Sequence, residues 1–119
     1  MTSPKKVTIW HNPKCSKSRE AMAILEENNC QAEVIKYLDI KPDEKEIQNI
    51  LSMLGLSARE LMRTKEDIYK ELNLKDEEDE SKLIAAMAQH QKLIERPIII
   101  KDSKAIIGRP TSIIAEFIQ

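Results

Sequence analysis

Short β-branched stretches stand at both ends of this chain and helical periodicity fills the middle, and that order limits the folds open to it. KKVTIW (5–10) ends at Asn12-Pro13 and reads as a buried strand. From Ser16 the pattern turns helical. Ala21, Ile24, Leu25 and Asn28 follow spacings of three and four, with Met22 beside them, and the helix ends near Asn28-Asn29. AEVIKYL (32–38) predicts a second strand.

The middle is built differently. Asp43 followed by Glu46 resembles a capping box; Ile47, Ile50, Leu51 and Leu54 mark one face, and Gly55 stops the helix. Ser57 and Glu60 repeat the capping signature before Leu61-Met62, and a further short helix is expected over Glu66–Leu72. The acidic run KDEEDESK (75–82) reads as a solvated loop leading into a helix N-terminus, with Leu83, Ile84 and Met87 carrying that helix toward His90. RPIII (96–100) and AIIG (105–108) then flank a polar turn and predict a hairpin. RPTSIIAEFIQ (109–119) predicts a terminal helix with Pro110 in its first turn and Ile113, Ile114, Phe117 and Ile118 facing inward.

Strand–helix–strand, a helical block, then strand–strand–helix is the thioredoxin-like plan. The expected fold is therefore α/β, a mixed four-stranded sheet flanked by helices. It forms one domain over residues 1–119, with a helical subdomain inserted at about residues 43–90. A length of 119 residues is enough for one modest core. With 19 basic against 20 acidic residues and 3% aromatics, the chain lacks both the basic field and the stacking platforms of a nucleic-acid binder. Its apolar runs are too short to span a bilayer. MTSPKKVTIW has no apolar core or small-residue cleavage site and does not read as a signal peptide. The expectation is a soluble cytoplasmic protein with no nucleic-acid or membrane partner, in which Cys15 and Cys30 start as thiols. Two histidines and two cysteines at irregular spacing make no zinc pattern, so no metal site is expected.

Cys15 is the residue that packing does not explain. It lies in HNPKCSKSR (11–19), among polar and cationic neighbours, just past the first strand and at the start of the first helix. Unpaired N–H groups and the helix dipole there lower a thiol's pKa, and nearby cations lower it further. The same N–H nest can hold an oxyanion. Arg63, Arg96 and Arg109 are candidate oxyanion ligands, since the guanidinium fork suits tetrahedral anions. Arg96 and Arg109 each precede a proline at a strand edge, which holds them extended.

HNPKCSKSR resembles the active-site loop of the ArsC-type arsenate reductases, a glutaredoxin-like family that uses an external thiol. ARELMR, LIERPIII and IIGRP fall in the order and spacing of that family's other motifs. The resemblance implies that Cys15 is the nucleophile and that Arg63, Arg96 and Arg109 hold arsenate and the arsenite-level intermediate. It also implies that His11 tunes the cysteine, that Ser18 is its polar neighbour, and that Pro97 is the cis-proline opposite it. Lys17 receives no role. Cys15 has Ser18 rather than cysteine at the third position beyond it, so there is no dithiol. Cys30 is expected near the far end of the same helix, about 22 Å along, as a packing or incidental thiol.

The reductant must then come from outside. The chain is expected to bind no cofactor of its own and to use glutathione with glutaredoxin, or another low-molecular-weight thiol, as co-substrate. The implied reaction starts with attack of the Cys15 thiolate on arsenate and loss of water. Attack of an external thiol on the adduct follows, with As(V) falling to As(III), and a mixed disulfide is left on Cys15. Two other readings stay open. One is an Spx-like regulator that binds RNA polymerase, although redox-switch members keep a Cys-x-x-Cys pair. The other is a thiol-exchange oxidoreductase of the same fold.

Overall fold

The computed structural model describes residues 5–118; the first four residues of the amino-terminal stretch and Gln119, the last position of the expected terminal helix, lie outside the described residues. The chain divides into two compact units, residues 1–37 with 96–119 and residues 38–95.

The first unit holds β1 (Lys5–Trp10), α1 (Ser16–Glu27), β2 (Cys30–Ile35), β3 (Ile98–Lys101), β4 (Lys104–Ile107) and α7 (Ile113–Phe117). Its sheet runs β2-β1-β3-β4. β1 and β2 are parallel, which requires the α1 crossover between them, whereas β1–β3 and β3–β4 are antiparallel. Val7 and Ile9 of β1 pack with Ala21, Leu25, Ile99, Ile114 and Ile118 in the core. α1 stops where Asn28 donates its side-chain amide to the Ile24 carbonyl (2.8 Å) and Asn29 takes a left-handed φ of 57°, a conformation that asparagine tolerates.

Three expectations shift here. The second strand begins at Cys30 rather than residue 32 and ends at Ile35, because Asn29 turns the chain into pairing sooner. Cys30 therefore lies on β2 opposite Lys5, not on α1. Residues 37–38, expected as strand, instead begin the single turn α2 (Tyr37–Ile40), and Tyr37 stacks on Trp10 with ring centroids 6.1 Å apart. α7 starts at Ile113, three residues beyond Pro110, and Ile113 is exposed, while Ile114 and Ile118 are fully buried.

The second unit contains α3 (Glu44–Leu54), α4 (Ala58–Leu61), α5 (Asp67–Glu71) and α6 (Glu80–Gln89). Its local signals are realised. The Asp43 carboxylate accepts the Glu46 N–H, Ser57 and Glu60 form a reciprocal capping box, and Asp79 caps α6. Gly55 ends α3 at φ 69°, with the Leu56 N–H returning to the Leu51 carbonyl. The unit extends past residues 43–90 at both ends, because the Glu95 N–H donates to the Leu61 carbonyl and Met62 bridges Ile94. Among the described residues no helix is long and apolar enough to cross a membrane.

Gly108 closes β4 where the sheet meets α7. A Cβ there would stand 2.9 Å from Ile114 Cδ1 and 3.1 Å from Pro97 Cγ. Ile114 is fully buried and has little room to withdraw. Gly108→Ala is therefore expected to destabilise the protein by about 1–3 kcal/mol through overpacking. Urea denaturation measures this, and an unchanged midpoint would show that the α7 contact yields freely.

Candidate active site

The strand register gathers the candidate residues. Trp10, the last residue of β1, pairs with Ile98, and Ile98 pairs with Ile107. The loop leaving β1, Arg96-Pro97 entering β3 and Arg109-Pro110 leaving β4 thus share one end of the sheet. The His11 N–H donates to the Ile35 carbonyl (2.8 Å) and prolongs the β1–β2 ladder by one residue before the chain turns.

Asn12-Pro13-Lys14-Cys15 forms that turn, closed by the Cys15 N–H on the Asn12 carbonyl at 2.9 Å. Cys15 then occupies the N-cap of α1 in an extended conformation (φ −95°, ψ 124°), and its carbonyl accepts the Arg19 N–H. The Cys15 side chain makes no capping hydrogen bond, but the backbone N–H groups of Ser18 and Lys17 lie close enough to favour its thiolate. Ser18 is completely buried; its Oγ accepts the Asn12 N–H (3.3 Å) and its hydroxyl donates toward the sulfur. An Arg109 terminal nitrogen lies 3.6 Å from Cys15 Sγ.

Burial, which leaves Cys15 only 8% exposed, pushes its thiol up. The Ser18 and Lys17 N–H groups, the Arg109 guanidinium and the Ser18 hydroxyl outweigh it, and the pKa falls below that of an ordinary cysteine. Arg109 is itself held in place, since its Nε donates to the Arg96 carbonyl at 2.7 Å. Arg96-Pro97 and Arg109-Pro110 are both cis. The first matches the expectation for Pro97; the second has no local signal that separates it from an ordinary X-Pro bond.

The remaining expected residues fall out differently. His11 is 8% exposed, and its Nδ1 finds no hydrogen-bond partner among the described residues. Burial, then Lys36 and Arg19, lower its pKa and keep the ring neutral at neutral pH. His11 therefore brings no positive charge to the loop at neutral pH. Arg63 belongs to the second unit, where it pairs with Glu66 (2.6 Å) and Glu95 (3.7 Å). Lys17 is half exposed and pairs with Glu20, as its lack of an assigned role suggested. Cys30 pairs with Lys5 at the opposite end of β1, about 16 Å of strand away from the Cys15 end. Sequence reasoning passed over Asn12, although asparagine before proline is a turn signal in its own right.

This fold and this loop define a thioredoxin-like protein whose centre holds one cysteine at a helix N-terminus beside an arginine. The ArsC family model matches residues 10–117, and the chain belongs to that family. Arsenate reductase of Neisseria meningitidis serogroup A is 51% identical over 106 residues, 87% of this chain and 91% of that protein. The uncharacterised Escherichia coli protein YfgD is 50% identical over 116 residues, 96% of this chain and 98% of its own length. The solved structure of arsenate reductase from Vibrio cholerae matches with a TM-score of 0.93 at 47% identity, covering 98% of this chain and 100% of that one.

A lowered thiol pKa has a signed consequence. Below it Cys15 is protonated and slow; above it the thiolate reacts, so at neutral pH Cys15 should alkylate faster than a free cysteine of pKa ~8.5. Arg109→Ala should move the rate–pH profile of Cys15 upward. Iodoacetamide labelling followed by peptide mass spectrometry measures both, and a Cys15 profile like that of a free thiol would refute the electrostatic account.

Proposed function

We propose that the chain is an arsenate reductase that uses Cys15 as nucleophile and takes its electrons from an external thiol. One observation supports this best: the Cys15 sulfur is flanked by two helix N–H groups, the Ser18 hydroxyl and the Arg109 guanidinium. The same donors that favour a thiolate suit the oxygens of a tetrahedral anion beside it.

The thiolate forms an S–As bond and one arsenate oxygen leaves as water, with arsenic still at As(V). An external thiolate then attacks the Cys15 sulfur. As the S–S bond forms, the S–As bond breaks with its electron pair left on arsenic, which becomes As(III) and departs as arsenite. A second external thiol attacks the mixed disulfide, returning Cys15 as thiolate and carrying away a disulfide. Two thiols are oxidised for each arsenate reduced by two electrons. Glutathione with glutaredoxin is the reductant we assign, in the reducing setting of the cytoplasm. Arg109 and Arg96 steady the oxygens of the arsenate, and Pro97 fixes the start of the strand beside them.

Purified protein with arsenate, glutathione, glutaredoxin and an NADPH-consuming regeneration system should turn over only when arsenate is present. Arsenate-independent turnover would favour the thiol-exchange reading. Cys15→Ser should abolish activity and Cys30→Ser should retain it. Arg109→Ala should cost on the order of 2–4 kcal/mol at the transition state, a fall in kcat/KM of roughly 30- to 1,000-fold.

The resting enzyme should also be trapped in one form. With arsenate and glutathione but no glutaredoxin, intact-protein mass spectrometry should find one glutathione on Cys15 and none on Cys30. A Cys15–Cys30 disulfide, which needs Cα atoms within ~7 Å, would refute the one-cysteine cycle.

A further inference from the structure

We infer that Asn12 is a positioning residue for the Cys15 chemistry: its side chain and main chain together fold the loop that seats the sulfur over α1 and aim the Ser18 hydroxyl at it. Three bonds converge on this one residue. Its Oδ1 accepts the Lys14 N–H at 3.1 Å, its carbonyl accepts the Cys15 N–H at 2.9 Å, and its N–H donates to Ser18 Oγ at 3.3 Å.

Each bond has a separate effect. The first is an Asx turn, which tightens the backbone at Pro13-Lys14 and so sets the direction in which the chain enters Cys15. The second closes the same turn and brings Cys15 to the N-cap position of α1, within the influence of the Lys17 and Ser18 N–H groups. The third occupies a lone pair of the buried Ser18 oxygen. A hydroxyl has one hydrogen, and with an N–H already on the oxygen that hydrogen is available to the sulfur. Ser18 thus favours the thiolate because Asn12 orients it. Arg19 reinforces the loop from the helix side by donating to the Pro13 carbonyl at 3.0 Å.

Only the Oδ1 bond depends on the side chain, so substitution at position 12 isolates it. The charged and titratable groups around the loop are Arg109 from the segment after β4, Arg96 before β3, Arg19, Lys17 and its ion-pair partner Glu20 on α1, Lys14 in the turn, and His11 and Lys36 at the ends of β1 and β2. All of them persist in the variants below. This inference rests on Cys15 being the nucleophile, but its readout requires no arsenate.

The test is the pH profile of Cys15 alkylation by iodoacetamide in the full-length wild type, Asn12→Ala and Asn12→Ser, with urea denaturation of each. Asn12→Ala should alkylate about fivefold more slowly at neutral pH, the scale set by losing one side-chain-to-backbone hydrogen bond, with the profile displaced upward. Asn12→Ser, whose hydroxyl supports the same turn more weakly, should recover part of the rate. A merely structural role would lower the urea midpoint and leave the alkylation profile in place, which would overturn the inference. Wild-type profiles in both variants would overturn it equally. If Asn12→Ala does not fold, Asn12→Ser decides alone: a profile between wild type and a free thiol supports the inference, and one identical to wild type ends it. A wild-type chain that alkylates as a low-pKa thiol but leaves arsenate unreduced would count against the proposed function and not against Asn12.

Discussion

The pairing of Trp10 with Ile98 and of Ile98 with Ile107 is the constraint from which the chemistry of the first unit follows. Because β3 runs antiparallel to β1, the residues before β3 arrive where β1 leaves. Because β4 reverses again, the residues after β4 return to the same place. Cys15 and Arg109 are 94 residues apart in sequence, yet a guanidinium nitrogen stands 3.6 Å from the sulfur. Ile98 and Ile99 point to opposite faces of β3 and both are completely buried, so a slip of one residue would exchange two packed faces as well as displace the segments that carry the site.

The Cys15 thiol is a contest between burial and donors. Removing the sulfur from water penalises the anion, and that is the largest single influence on it. The opposing groups win because they act together at short range: two N–H groups of one helical turn, the hydroxyl of a buried serine, and a guanidinium tethered by the Arg96 carbonyl. Donors held in place by their own hydrogen bonds, as Arg109 is, are the kind for which electrostatic stabilisation is most effective. His11, whose neighbours keep it neutral, takes no share of the positive charge.

Electron supply follows from where the second cysteine falls. Cys30 sits at the start of β2 opposite the start of β1, so the length of β1 separates it from the Cys15 loop. A thioredoxin-like centre with Ser18 in place of a second thiol has no other cysteine beside Cys15 among the described residues, and this is why the proposed cycle draws on thiols from solution. The serine is not an inert replacement. It is completely buried, its oxygen accepts the Asn12 N–H, and its hydroxyl lowers the pKa of the Cys15 thiol.

Much of this was legible in the sequence, for local reasons. The β-branched run at β1, the Asp43 and Ser57 caps and the Gly55 stop are short-range effects of side chains on their own backbone, and they appear where the spacing put them. The order of elements pointed to the thioredoxin-like plan, and the position of Cys15 between a strand and a helix marked it as the candidate nucleophile. What sequence could not decide depends on non-local pairing. Tyr37, expected in a strand, stacks on Trp10 and opens a helical turn, and Ile113, expected inward, faces solvent because α7 begins after the Arg109-Pro110 segment. Cys30 joins β2 because Asn29 turns left-handed there. The neighbour of the sulfur was likewise undetermined: residues 15 and 109 lie 94 positions apart, and only the register of a sheet built from distant segments brings the Arg109 guanidinium beside Cys15.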